Sequence, residues 1–315
     1  MLSLLAVAPY VLADAEQGSD ETDGFLSRSV NSAEQTRDIW SARWVNFAET
    51  MDRYFSSQPP PGDYVNESYI RIQFRETIEE RGELGTDARI KAKFDLPNTE
   101  KKAKLFFNSD ADNDSNLEGR TRSTSTDERI RREESVAGLE FSPDSEWHKW
   151  KRSNRVGIRV RAPLVPFART RLRRPFNDWG LWSREFQQEF WWYRDRGWGA
   201  TSEYDMRRPL GKASQLRYFT VLEFEDSKDY WEHLQLLSLN TDITDRISLE
   251  YRAGMLFNTE YDSRLTAYFF GMNYRRRIHE DWVFLTVSPE SYFARDDGWD
   301  AEASLTFRID VYFSE

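Results

Sequence analysis

The sequence predicts an all-β membrane protein: an antiparallel up-and-down transmembrane β-barrel of about 14 strands, preceded by a short periplasmic amphipathic helix. Three observations predict it. The first is strict alternation, clearest at the end of the chain. Ala303, Leu305, Phe307, Ile309, Val311 and Phe313 are apolar, and Glu302, Ser304, Thr306, Arg308, Asp310 and Tyr312 lie between them. A period of two is a strand with one apolar and one polar face. The second is that this pattern recurs in segment after segment, with the polar face often fully charged. A soluble sandwich would turn its apolar faces inward; here lipid outside and a polar lumen inside fit better. The third is composition. Aromatics make up 15% of 315 residues, with 12 Trp, 14 Tyr and 21 Phe, as interfacial girdles require. No run of about 18 apolar residues follows the N-terminus, so no spanning helix competes with the barrel.

Taken in order, Met1 to Ala15 reads as a secretory signal, with an apolar stretch from Leu2 to Leu12 and the small-residue site Ala13-Asp14-Ala15. Residues 16–31 are acidic and read as a disordered linker. Residues 32–62 read as a helix and its Pro-rich exit. Trp40, Trp44, Phe47, Met51 and Tyr54 recur at helical spacing, and Pro59-Pro60-Pro61-Gly62 ends the pattern. The barrel is expected over residues 63–315. Its first strands carry Ile70, Ile72 and Phe74, then Ile90, Ala92 and Phe94, on the apolar face. Asn108 to Arg131 reads as a long exposed loop, and so as extracellular, because barrels of this kind keep their periplasmic turns short. The stretch from Arg155 to Arg173 could form one bent hairpin, which would reduce the count to about 12. Tyr230 to Asn240 is apolar at both parities, so its facing is open.

The polar faces carry the strongest functional pattern. The early strands present Arg71, Arg75, Arg89, Lys91, Lys93, Lys102, Lys104, Arg155, Arg159, Arg161, Arg169, Arg171 and Arg173; the next present Glu185, Glu189, Glu203, Asp205 and Glu223. In an up-and-down barrel consecutive strands are neighbours, so each run lines its own arc of the lumen. Charges inside a low-dielectric wall must be paired or hydrated. Arcs that touch across the bore seal it; arcs with water between them set up a transverse field. The ten basic positions Arg71, Arg75, Arg89, Lys91, Arg155, Arg159, Arg161, Arg169, Arg171 and Arg173 are the candidate anion-contacting residues.

The alternating apolar ending with an aromatic almost at the C-terminus resembles the closing strand of bacterial outer-membrane β-barrels. That resemblance implies a Gram-negative outer-membrane location, with lipid and lipopolysaccharide around the barrel. It also implies recognition of the closing strand, here Phe307 and Phe313, by the barrel-assembly machinery. Ser314 and Glu315 follow Phe313, a small departure from the pattern. A net charge of −10 argues against nucleic-acid binding. Three histidines and no cysteine leave little for a metal site, and no cofactor is expected. Asp110, Asp112, Asp114 and Asn116 have the oxygen spacing of a calcium loop, but Ser115 replaces its glycine and Thr121 its closing glutamate. A barrel hydrolase would need a histidine base. The only strand histidine, His233, stands in no hydrolase motif, so no enzymatic activity is expected. The expected function is a small or plugged channel with a charged lumen. The alternatives are a structural barrel whose helix 32–55 docks a periplasmic partner and, behind it, a lipid hydrolase.

Overall fold

The computed structural model describes residues 68–80, 82–96, 103–109, 117–123, 135–142, 149–160, 163–228, 230–261 and 264–313. Fourteen strands form one closed sheet: β1 (Tyr69–Glu79), β2 (Leu84–Leu96), β3 (Ala103–Asn108), β4 (Val136–Phe141), β5 (Lys151–Arg159), β6 (Val165–Trp179), β7 (Trp182–Tyr193), β8 (Gly197–Leu210), β9 (Ser214–Glu225), β10 (Tyr230–Thr244), β11 (Ile247–Asn258), β12 (Arg264–His279), β13 (Val283–Ala294) and β14 (Ala301–Phe313). Each pairs antiparallel with its neighbours in the chain. β1 closes on β14 in a register that runs from Ile70 opposite Phe313 to Glu79 opposite Ser304. The Arg155–Arg173 stretch is two separate strands, β5 and β6. The expected signal (residues 1–15), linker (16–31) and helix with its exit (32–62) lie outside the described residues, as does Arg161.

Alternation sets the facing. On β1, Gln73 is 3% exposed and its neighbour Phe74 is 53% exposed. The same contrast recurs around the barrel: Phe190, Leu222, Met255, Phe270 and Ile309 are exposed, while Glu189, Glu223, Arg252, Asn273 and Asp310 are buried. An exposed apolar band of this extent, interrupted where Ile70, Ala92 and Phe94 of β1 and β2 are buried, is stable only with hydrocarbon outside. Closure satisfies every strand edge, which lipid demands. Outward aromatic pairs sit toward both rims, among them Trp192–Trp198, Phe224–Trp231 and Tyr268–Phe293 at one end and Trp150–Phe186 toward the other.

At the end that holds Tyr69 and Phe313, two connections are only two residues long. Gly180 and Leu181 join β6 to β7, with Gly180 at φ 61°, the left-handed conformation that tight hairpins need. The long connection between β3 and β4 is at the opposite end, which is therefore extracellular. This stretch is not simply an exposed loop. Part of it forms a helix, α1 (Leu117–Ser123), with Leu117 and Arg120 fully buried inside the barrel.

Candidate functional site: the charged lumen

The inward parity of β1 and β2 carries Arg71, Arg75, Arg89 and Lys91. That of β5 and β6 carries Arg155, Arg159, Arg169, Arg171 and Arg173. Glu185 and Glu189 of β7, Glu203 and Asp205 of β8, and Glu223 of β9 occupy the same parity on the following strands. Arg159 shows why: it is buried, while Ile158 and Val160 on either side are exposed.

The basic and acidic runs meet along the wall. At the β6–β7 seam Arg171 pairs with Glu189 at 2.5 Å, Arg173 with Glu185 at 2.5 Å, and Arg169 lies 3.6 Å from Glu189. At the β1–β14 seam Arg71 lies 3.8 Å from Asp310, which also accepts a 2.9 Å hydrogen bond from Gln73. Inside the basic run, Asp87 takes Arg75 at 2.5 Å and Arg89 at 2.6 Å, Glu140 takes Arg155 at 2.6 Å, and Asp195 in the β7–β8 turn takes Arg159 at 2.9 Å. Inside the acidic run, Asp205 is held by Arg217 at 2.8 Å and by Arg207 at 2.9 Å. Strand neighbours thus supply many of the counter-charges, in charge-assisted bonds that need no contact across the bore. Four of the carboxylate partners, Asp87, Glu140, Asp195 and Asp310, were not singled out from the sequence. Each is an isolated acid among bases or in a turn, and only the cross-strand register gives it a partner.

Glycine makes one of these links possible. Arg252 on β11, Gly271 on β12 and Glu290 on β13 lie in one row. Arg252 crosses the middle strand to reach Glu290 at 2.5 Å. A Cβ on Gly271 would meet Arg252 Nε at 3.1 Å.

Aromatic rings pack among the arginines. The Arg159 guanidinium lies 4.6 Å from the Tyr193 ring centroid, Arg155 4.9 Å from Phe106, and Arg217 4.7 Å from Phe219. Tyr193 OH also accepts a 2.5 Å hydrogen bond from Arg169. Phe106, Val136, Val165, Phe167, Trp191 and Tyr193 form one buried apolar cluster on β3–β7. A second cluster, on β9–β13, includes Phe219, Val221, Leu234, Leu236, Leu256 and Phe269.

Helix α1 packs into this second cluster through Leu117. Arg120 donates to Glu223 on β9 at 2.8 Å, and the Leu117 N–H donates to Glu232 on β10 at 3.3 Å. Glu232 also takes Lys228 at 2.9 Å. The apolar inward pair Leu234 and Leu236 settles the facing of β10: they cover α1, while Trp231 and Leu237 face outward and are exposed. His233 therefore lies on the outer face. It bonds Thr220 at 2.9 Å and stacks on Phe257 at 5.5 Å, away from every lumen carboxylate named above. No group of three or more metal-ligating side chains occurs among the described residues. Phe307 lies on the outer face, 37% exposed, and Phe313 pairs with Ile70 at the closing seam.

No protein-family model matches the chain, and no curated protein matches it. Solved structures similar to it are outer-membrane barrels. A loop L8 deletion mutant of OmpT, an outer membrane protein of Vibrio cholerae, is 8% identical with a TM-score of 0.48, covering 79% of this chain and 99% of that one. The outer membrane channel DcaP of Acinetobacter baumannii is 8% identical with a TM-score of 0.47, covering 79% and 96%. An anion-selective porin from Comamonas acidovorans is 9% identical with a TM-score of 0.46, covering 78% and 98%. The barrel assignment rests on the strand pairing and the apolar exterior. A closed up-and-down barrel of this kind is a Gram-negative outer-membrane protein.

Proposed function

We propose that this barrel is a small channel for anionic solutes, narrowed at its extracellular side by α1. The observation that carries the reading is the division of the inner wall. Inward bases dominate β1–β6, inward acids dominate β7–β9, and the two runs join at the β6–β7 seam through Arg171–Glu189 and Arg173–Glu185. A guanidinium has five donors, so a wall carboxylate bound along one edge leaves donors for a solute. Arg155, Arg159, Arg169 and Arg171 would make the first contacts. Around the barrel we place bilayer lipid and lipopolysaccharide, with the Phe313 strand serving as the mark for the assembly machinery.

Planar-bilayer recording of the refolded mature chain tests this reading. In a salt gradient the reversal potential should show anion preference, and Arg159→Glu with Arg171→Glu should weaken or invert it. Cation preference in the wild type would refute the reading. A second reading, a structural barrel with a filled lumen, is favoured by the full burial of Leu117 and Arg120 inside the wall. It expects no conductance from the wild type and lower stability in the same double variant, because wall acids would lose their partners.

A further inference from the structure

The outer face of a membrane barrel should be free of charge except near its rims. On β6, β7 and β8 the periplasmic part of that face carries a group of arginines. Outward parity there carries Arg174 on β6, Arg184 on β7 and Arg208 on β8. The register sets them on a diagonal: Arg174 lies opposite Phe186, Arg184 opposite Phe176 and Met206, and Arg208 opposite Leu216. All three are in the periplasmic half of their strands, toward the turn that joins Trp179 to Trp182. That turn is itself apolar at its tip, with Trp179 67% exposed.

Each arginine packs on an aromatic ring. Arg174 lies 5.6 Å from the Trp150 centroid and 5.4 Å from Phe176, Arg184 lies 6.0 Å from Phe176, and Arg208 lies 5.9 Å from Trp182. Among the described residues no carboxylate pairs with Arg174 or Arg208, and Arg208 Nε is buried with no hydrogen-bond acceptor. This contrasts with the lumen, where arginine after arginine has a carboxylate within ion-pair distance. A guanidinium held at a membrane face without a counter-anion is costly unless the surroundings supply one.

We propose that Arg174, Arg184 and Arg208 form a headgroup site for an anionic glycerophospholipid of the periplasmic leaflet. Guanidinium groups bind phosphate oxygens in two-pronged contacts and stack on aromatic planes, so the ring packing pre-sets their orientation. The long side chains keep their stems in the apolar layer while their heads reach the phosphate level. Trp150, Trp182 and Trp179 mark that level, since tryptophan collects where chain and headgroup meet. For Arg174 and Arg208 the lipid phosphodiester supplies the counter-charge that no described carboxylate provides.

Native mass spectrometry of the folded mature chain in detergent, with phosphatidylglycerol or phosphatidylcholine added, tests the site. The wild type should retain phosphatidylglycerol in preference to phosphatidylcholine, and Arg174→Gln with Arg208→Gln should lose most of that preference. Equal retention of the two lipids, or a double variant as selective as the wild type, would overturn the proposal. So would displacement of the lipid by inorganic phosphate alone, which would make the ligand a free anion. Lipid-free oligomers as the main species would assign the face to a second copy of the chain instead. Heat-modifiable migration on gels checks that the variant is folded. If it is not, Arg174→Lys with Arg208→Lys carries the test: both charges stay while the two-pronged geometry goes. Reduced selectivity then supports the site, and unchanged selectivity overturns it.

Discussion

Glu223→Gln should release α1 from the lumen. Glu223 receives Arg120 at 2.8 Å, and both side chains are buried. Removing the carboxylate charge leaves a guanidinium in a low-dielectric wall, and breaking one side of such a pair costs roughly 3–5 kcal/mol. Against that, burial of the Leu117 side chain contributes about 1.5–3 kcal/mol, and its N–H bond to Glu232 about 1 kcal/mol. These are comparable, so the docked helix should lose most of its advantage while the fourteen-strand wall stays closed. An effect of roughly 3 kcal/mol is about a hundredfold in the docking equilibrium. Limited trypsin digestion reads it, because Arg120 and Arg122 lie within α1. Cleavage there should be slow in the wild type and fast in Glu223→Gln, with a matching rise in any single-channel conductance. Adding Arg120→Met should restore protection at Arg122, the site that remains, since a buried pair can be exchanged for an apolar contact. Equal cleavage rates in wild type and single variant would refute the reasoning.

Three further changes test the wall. Phe307→Arg should cost roughly 2–4 kcal/mol in urea unfolding, because that side chain faces the lipid; Thr306→Arg, on the inner face beside Thr77, should cost much less. Gly199→Ala should lower the unfolding free energy by about 1–3 kcal/mol, since its Cβ would fall 1.9 Å from the buried Trp191 ring. Arg252→Met alone should cost roughly 3–5 kcal/mol by leaving Glu290 buried without its partner, whereas Arg252→Met with Glu290→Leu should recover most of that loss.

Much of this wall was readable in the sequence because a barrel strand declares its facing at every residue. Phe307 against Arg308, or Ile158 against Arg159, needs no tertiary knowledge. The reading stopped where a segment serves neither lipid nor open lumen. Leu234 and Leu236 on β10 spoil the alternation because they cover α1, and nothing local shows that. Helix α1 itself is a seven-residue stretch, Leu-Glu-Gly-Arg-Thr-Arg-Ser, in polar surroundings, with a single apolar anchor and no repeat to reveal a buried face. The charges were visible as two runs, but their pairing was not. Whether Arg171 meets Glu189 beside it or an acid across the bore depends on strand register, which alternation leaves undetermined. Arg174 and Arg208, the outer-face arginines without a carboxylate partner among the described residues, were hidden in the same way. Arg174 sits among Arg169, Arg171 and Arg173, and only its parity separates it from them.

The seam where Ile70 meets Phe313 also sets an order of events in time. The first strand to emerge has one final partner that is made last, nearly the whole barrel later in the chain. Until β14 arrives, β1 carries an open row of N–H and C=O groups, and the growing sheet has a second open edge that moves with each added strand. Lipid cannot satisfy such edges, and in water they invite pairing with other chains. A chain that ended before Ala301 would not be a slightly smaller barrel; it would be an unclosed sheet with edges on Tyr69–Glu79 and Val283–Ala294. Ring closure over so long a span is slow. The unfinished chain must therefore be kept from its neighbours for as long as closure takes, and its survival in the cell depends on that waiting time as much as on the stability of the finished wall.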